Sequence, residues 1–329
     1  MSKNTTLKEL SKILGVSIST ISKALNDSHE ISITTKKRIR EAATLYNYQP
    51  NRIAVNLKSG KTNTIGVILP SIKNFFLSRV LRGIEIVIAE TSYNIIICIT
   101  NESLEKEIHS IQTLSNGFVD AIMIAVSEET QVKQDFTHLN NFKNNKPLLM
   151  LDRVVDSIES DKVIVDDYKA VFNAVKGLKQ SGRDRIALAS TIGNLSVGES
   201  REKGYLAALD SSQMPIIIEG TEVAIENKIG ELLKQKKVDA IVALDEEASL
   251  ASFRAGKKKK VLKTHELSLI GYAGTTISEH LTPSLTTINQ HGKKVGITAA
   301  KLLLSKLQKP LKDPESIIVN STLHKRETS

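Results

Sequence analysis

Thr6-Leu7-Lys8-Glu9-Leu10-Ser11-Lys12-Ile13-Leu14-Gly15-Val16-Ser17-Ile18-Ser19-Thr20-Ile21-Ser22-Lys23 reads as two short helices around a glycine turn. This is a helix-turn-helix pattern. Leu7, Leu10, Leu14, Val16, Ile21 and Leu25 are placed to close one small core, which leaves Ile18, Ser19, Ser22 and Lys23 on the opposite face. In such a unit the outward face is the one that enters a DNA major groove.

Working outward, Ser32 is placed to N-cap a third helix with Ile39, Ala42 and Leu45 on its buried side. Pro50 then restarts the chain, and residues 51–58 have the length of two helical turns closed by Ser59-Gly60. A helix so short is marginal in water and forms only against something it docks on. Charge follows the same division. Residues 1–61 hold eleven Lys/Arg against four Asp/Glu, a net of +7 out of +9 for the whole chain. A basic amino-terminal module on a nearly neutral body fits an electrostatic footprint for a phosphate backbone.

At 329 residues the chain suits a minor module plus a larger α/β body. From Thr64 onward, apolar runs alternate with amphipathic segments. Ile65–Leu69, Tyr93–Ile99, Asp120–Val126, Pro147–Leu151, Val163–Val165, Arg185–Ala189, Met214–Ile218, Asp239–Leu244 and Leu267–Gly271 are expected strands, separated by helices such as Phe75–Glu90 and Glu199–Leu209. Near-continuous Val/Ile runs suit strands buried on both faces, hence parallel, doubly wound sheets. Nine strands exceed one sheet, so two α/β lobes with a cleft between them are expected. The single Cys98 lies in an apolar run and is expected to be a buried, inert thiol. The polar amino terminus and the absence of a long apolar stretch point to a cytoplasmic protein without a membrane partner.

The ordered matches resemble the lactose-repressor and galactose-repressor (LacI/GalR) family of transcription regulators over essentially the whole chain. They begin with Thr6-Leu7 through Leu25-Asn26, Tyr48-Gln49-Pro50-Asn51, Ala54, Leu57, Ser59-Gly60 and Thr62 through Val67. Leu81 through Glu85, Leu151-Asp152-Arg153, Val165-Asp166-Asp167, Arg201, Gly204-Tyr205 and Pro283 through Ile288 follow in order. The resemblance implies a helix-turn-helix DNA-binding domain over 1–49, a hinge helix and linker over 50–61, and a periplasmic-binding-protein-like core over 62–329. Each lobe of that core is built from discontinuous chain, lobe 1 from about 62–161 plus 291–320 and lobe 2 from about 162–290. It also implies a homodimer on a pseudo-palindromic double-stranded operator, with Val80, Leu81 and Ile84 contributing to the dimer interface.

The resemblance places Ile18 and Ser19 as the base-reading pair and Lys23 where the family carries arginine. Ile can meet a thymine methyl, Ser a base edge, and Lys either guanine acceptors or phosphate alone; both readings of Lys23 stand. Ser17, as an N-cap, with Thr20, Ser22, Asn26 and Asn51, forms the phosphate-contacting set. Leu57 stands where the family wedges the minor groove, beside Ala54 and flanked by Arg52 and Lys58. Phe76, Asp152, Arg201 and Asp245 match positions lining the effector cleft, a carboxylate opposite a guanidinium being suited to the hydroxyls of a sugar or sugar derivative. The bland alternatives are helix capping for Asp152 and Asp245, a surface pair for Arg201 and core packing for Phe76. Leu244 stands where the family commonly has Asn, and Ala273-Gly274 where sugar-responsive members carry carboxylates, which reduces the acceptors available to a sugar.

Enzyme readings fare badly. Ser59-Gly60-Lys61-Thr62 imitates the end of a P-loop, but the earlier glycine would fall at Val55. The seven His and one Cys show no metal-ligand spacing, no Gly-x-Ser-x-Gly elbow occurs, and no cofactor is expected. The lysine run 257–260 is read as a solvated helix end. The expected function is a sequence-specific repressor of a catabolic or transport operon controlled by a small-molecule effector. The alternatives are a constitutive regulator without a ligand, or a cytosolic small-molecule-binding protein or enzyme.

Overall fold

The structure is a computed structural model that describes residues 5–48, 61–73, 75–262, 266–309 and 313–329. It divides into two compact units, 1–62 and 63–329. The expected hinge residues Asn51, Arg52, Ala54, Leu57 and Lys58 lie outside the described residues.

In the first unit, α1 (Leu7–Leu14), α2 (Ile18–Leu25) and α3 (Ile33–Leu45) follow the sequence pattern closely. Thr6 opens α1 with a capping box: its hydroxyl accepts from the Glu9 amide at 3.2 Å, and the Glu9 carboxylate accepts from the Thr6 amide at 2.8 Å. Gly15, at φ 66°, ends α1 in the left-handed conformation that a side chain disfavours. Ser17 and Ser32 cap α2 and α3 through the amides of Thr20 and Thr35. Leu10, Leu14, Ile21, Ala24, Ile39 and Ala42 are buried together, with Leu7, Val16 and Leu25 packed at their rim. Leu45 departs from expectation, being 77% exposed. It lies six residues past Ile39, about 240° around the helix and therefore off the buried stripe.

The second unit holds two six-stranded sheets, with strand orders β11-β5-β4-β3-β1-β2 and β12-β10-β9-β8-β6-β7. The first comprises β1 (Thr64–Leu69), β2 (Asn94–Ile99), β3 (Ala121–Ile124), β4 (Leu148–Leu151), β5 (Asp161–Val165) and β11 (Ser316–Val319), all parallel. The second comprises β6 (Ile186–Ser190), β7 (Ile216–Glu219), β8 (Ala240–Ala243), β9 (Ser268–Gly271), β10 (Thr286–Asn289) and β12 (Thr322–His324), of which only β12 runs antiparallel. The chain passes between the sheets three times: after β5, between β10 and the following helix, and between β11 and β12. Thus β5 stays with the first lobe, and the last residues return to the second. At these crossings the Asp166 carboxylate accepts from the Ser321 amide at 2.6 Å, and His291 Nε2 lies 2.9 Å from Thr322 Oγ1.

The helices are α4 (Phe75–Ile88), α5 (Leu104–Ser115), α6 (Glu128–Lys133), α7 (Thr137–Lys143), α8 (Asp167–Gln180), α9 (Ser196–Ala208), α10 (Glu222–Lys234), α11 (Glu246–Lys258), α12 (Thr275–His280) and α13 (Gly292–Gln308). α4 and α13 cross backbone to backbone. A methyl group on Gly83 would lie 2.1 Å from the Lys293 carbonyl oxygen, and one on Gly296 would lie 1.9 Å from that of Val80. This crossing corrects the interface expectation for Val80 and Ile84, which are wholly buried in the first lobe's own core. Another correction concerns the apolar run at 95–99. It forms an edge strand, so Ile96 and Ile97 are exposed and Cys98 is only half-buried. Lys257 to Lys260 are exposed at the end of α11. Among the described residues, no helix is long and apolar enough to cross a membrane.

Candidate functional site

Two places concentrate exposed or unsatisfied chemistry. On the first unit, helical periodicity brings Ile18, Ser19, Ser22 and Lys23 onto one face of α2. Ile18 is 46% exposed although it opens a helix in which Ile21 is wholly buried and Leu25 packs at the core's rim. Ser19 and Lys23 are exposed and Ser22 is half-buried. The Lys23 ammonium is paired with the Glu30 carboxylate. Ser17 Oγ accepts from the Thr20 amide at 3.0 Å and lies 2.8 Å from Thr20 Oγ1, so the two hydroxyls form one polar corner at the helix start. Asn26 is exposed as the C-cap of α2.

The turn after α2 is held by Asp27, whose carboxylate meets Lys36 Nζ at 3.1 Å and Arg40 at 2.8 Å. These two cations, Lys36 foremost, hold the Asp27 carboxyl below the usual carboxylate range. Neither the Asp27 anchor nor the Lys23–Glu30 pair is legible in the sequence, because both join residues seven or more positions apart through a turn.

In the second unit a cavity of about 450 Å³ opens between the lobes, and Phe76, Asp152, Arg201 and Asp245 all line it. Their commitments differ. Arg201 is buried; its Nε donates to Asp167 Oδ1 at 2.7 Å, its Nη1 donates to the Leu244 carbonyl, and its guanidinium stacks 4.2 Å from the centre of the Tyr272 ring. Burial opposes the charge, but Asp167, Tyr272 and Asp152 outweigh it and hold the guanidinium above its usual range. Asp245 caps α11 through the Ala248 amide at 2.8 Å and accepts from both the amide and the hydroxyl of Thr191, at 2.8 and 2.9 Å. Asp245 thus caps a helix while also lining the cavity. Asp152 sits at φ 60° with its carboxyl pushed up to about 6, chiefly by burial. The Tyr272 hydroxyl is buried without a hydrogen-bond partner among the described residues, and burial raises its pKa.

Sequence reasoning missed the groups that bridge the lobes. The Phe75 ring lies so close to Gly274 that a Cβ there would be 2.8 Å from it, and the Phe75 amide donates to Glu246 at 3.5 Å. On another part of the lobe boundary, Gln131 Nε2 donates to Ser196 Oγ at 2.9 Å, while its Oε1 accepts from the Ser196 amide at 3.2 Å. α9 has Leu195 at its N-cap and no side-chain cap of its own, so Gln131 supplies one from the other lobe. The Ala273-Gly274 departure was the one signal in the sequence that pointed here.

Residues 6–51 match the family described as bacterial regulatory proteins, lacI family, and residues 62–327 match periplasmic binding proteins and sugar binding domain of LacI family. Catabolite control protein A of Priestia megaterium is 27% identical over 335 residues, covering 99% of each chain. A LacI family transcriptional regulator from Enterococcus faecium with bound ribose is 27% identical with a TM-score of 0.68, over 81% of this chain and 98% of that one. The Lac repressor dimer bound to operator and the anti-inducer ONPF shares the fold, with a TM-score of 0.85 at 21% identity over 99% of both chains. Head and body are thus both matched, and the chain belongs to the LacI family of DNA-binding bacterial transcription regulators.

Proposed function

We propose that this regulator acts in the cytoplasm as a homodimer that represses a catabolic or transport operon from a pseudo-palindromic site, with a small molecule in the interlobe cavity setting its grip. The observation that carries the DNA half is the outward face of α2. There Ile18 stays exposed above a closed core, beside Ser19 and Lys23. Ile18, Ser19 and Lys23 read base edges; Ser17, Thr20, Ser22, Asn26 and Asn51 contact phosphate. Leu57, with Ala54, Arg52 and Lys58, enters the minor groove and bends the site. Selection of bound fragments from genomic DNA by the full-length chain, with and without metabolites, tests the whole reading. Failure to enrich any two-fold-related sequence overturns it. Leu57→Ala is expected to weaken binding and reduce bending in a circular-permutation gel.

For the effector half, support comes from the cavity's Asp152, Arg201 and Tyr272 and from the ribose bound by the Enterococcus relative. A sugar or sugar derivative is the class expected. One observation favours a regulator that needs no ligand: Phe75 already spans the cleft to Gly274 and Glu246. A thermal-shift screen separates the two, since only a sensor gains stability from a ligand supplied well above its dissociation constant.

A further inference from the structure

We propose that Glu30 is a specificity-determining positioning residue, which fixes the Lys23 ammonium on the reading face of α2 and so sets the base preference there. The inference rests on α2 being the recognition helix. A lysine alone is a poor reader, a compact charge on a flexible four-carbon stem that serves a phosphate as readily as a base. In this head the stem has an acidic partner. Lys23 Nζ pairs with Glu30 Oε2 while both side chains remain about half exposed, 44% and 51%, on the protein's outer surface.

Glu30 is itself held. The Ser28 amide donates to the Lys23 carbonyl at 2.9 Å, and Ser28 Oγ accepts from the Glu30 amide at 3.4 Å. Asp27 ties the same turn to α3 through Lys36 and Arg40. Both ends of the pair are therefore anchored within a few residues of one another. Held by one carboxylate oxygen, the ammonium keeps two N–H donors for adjacent acceptors such as O6 and N7 of guanine. The carboxylate also repels phosphate oxygens, which disfavours the phosphate-only use of Lys23. An exposed ion pair adds little to stability in water, and an acid beside DNA lowers affinity for every sequence. Discrimination is the one property that such a pair improves.

The test uses the full-length chain, the operator it selects from genomic DNA, duplexes carrying each single base-pair change, and an unrelated duplex, all at fixed salt. Glu30→Gln is expected to tighten binding to the unrelated duplex. It should also lower discrimination at one symmetry-related base pair by about 5-fold or more, and leave the other positions and the unfolding temperature unchanged. Its salt dependence should steepen by about one phosphate contact, as Lys23 is released to the backbone. Lys23→Met is expected to lose discrimination at the same base pair, and adding Glu30→Gln to it should change that ratio no further. If Lys23→Met flattens the profile there but Glu30→Gln shifts all duplexes equally, Glu30 acts as bulk charge and the proposal falls alone. If Lys23→Met leaves the profile intact, the recognition-helix reading of Lys23 falls, and this proposal with it.

Discussion

Asp152 occupies the left-handed region at φ 60° and is 9% exposed, with its carboxyl pushed up to about 6 from an ordinary 3.8, chiefly by burial. Between those two pH values the folded chain holds a proton that the unfolded chain has released. Stability therefore falls as pH rises from about 4 through 6 and levels off above, with the ionised carboxylate costing about 3 kcal/mol at neutral pH. Asn tolerates the same backbone conformation and carries no charge. Asp152→Asn is expected to raise the unfolding temperature at pH 7.5, with the gain shrinking toward pH 4; thermal scans across that range check it. Arg201 is the converse case, a buried cation dependent on Asp167. Asp167→Ala is expected to cost about 3–5 kcal/mol in urea unfolding, because it leaves that charge without its carboxylate. The resemblance in the sequence named four side chains that line the cavity, Phe76, Asp152, Arg201 and Asp245, but not Phe75 or Tyr272. What each is bonded to was not legible. Asp167 is 34 residues from Arg201, and the Thr191 that engages Asp245 is 54 residues away, just past the end of β6.

Among the elements, the α4–α13 crossing is set by two glycines that let backbone meet backbone. Gly83→Ala places a methyl against the Lys293 carbonyl and is expected to cost about 1–3 kcal/mol, read by chemical denaturation. The cap that Gln131 lends to α9 depends on the lobes being together. Gln131→Ala is expected to speed amide exchange at Ser196 and its neighbours while α9's centre stays protected, a local loss of about 1 kcal/mol. Nine strands were recognisable from their aliphatic runs, whereas β11, β12 and β10 were not; in β10, Thr-Thr-Ile-Asn at 286–289 does not look buried. Its two threonines are buried only because the tail satisfies them: the Arg326 amide donates to Thr286 Oγ1 at 2.8 Å, and the Arg326 guanidinium donates to Thr287 Oγ1 at 2.9 Å. No local pattern encodes a strand made tolerable by residues about forty positions later. The run at 95–99 erred the other way, since aliphatic content cannot tell an edge strand from a central one.

At the scale of the molecule, none of the four core clusters of the second unit includes a residue before Ile65, and the first unit closes its core within residues 7–48. Deleting residues 1–62 is accordingly expected to leave the body resistant to proteolysis with a cooperative thermal transition. The division into a head and a two-lobed body was legible from charge and periodicity; the three crossings were not, since they depend on where short polar segments pair. Those crossings bear on how the protein is made. Each sheet waits for a strand from the far end of the chain, β11 at 316–319 for one and β12 at 322–324 for the other, and Thr328 ties the second by donating to the Leu269 carbonyl at 2.7 Å. The ribosome thus delivers a foldable head some 270 residues before either lobe can finish. Truncation after about residue 310 would release a basic, folded head on a body lacking β11 and β12: a polypeptide still drawn to DNA but without the finished lobes that enclose the cavity.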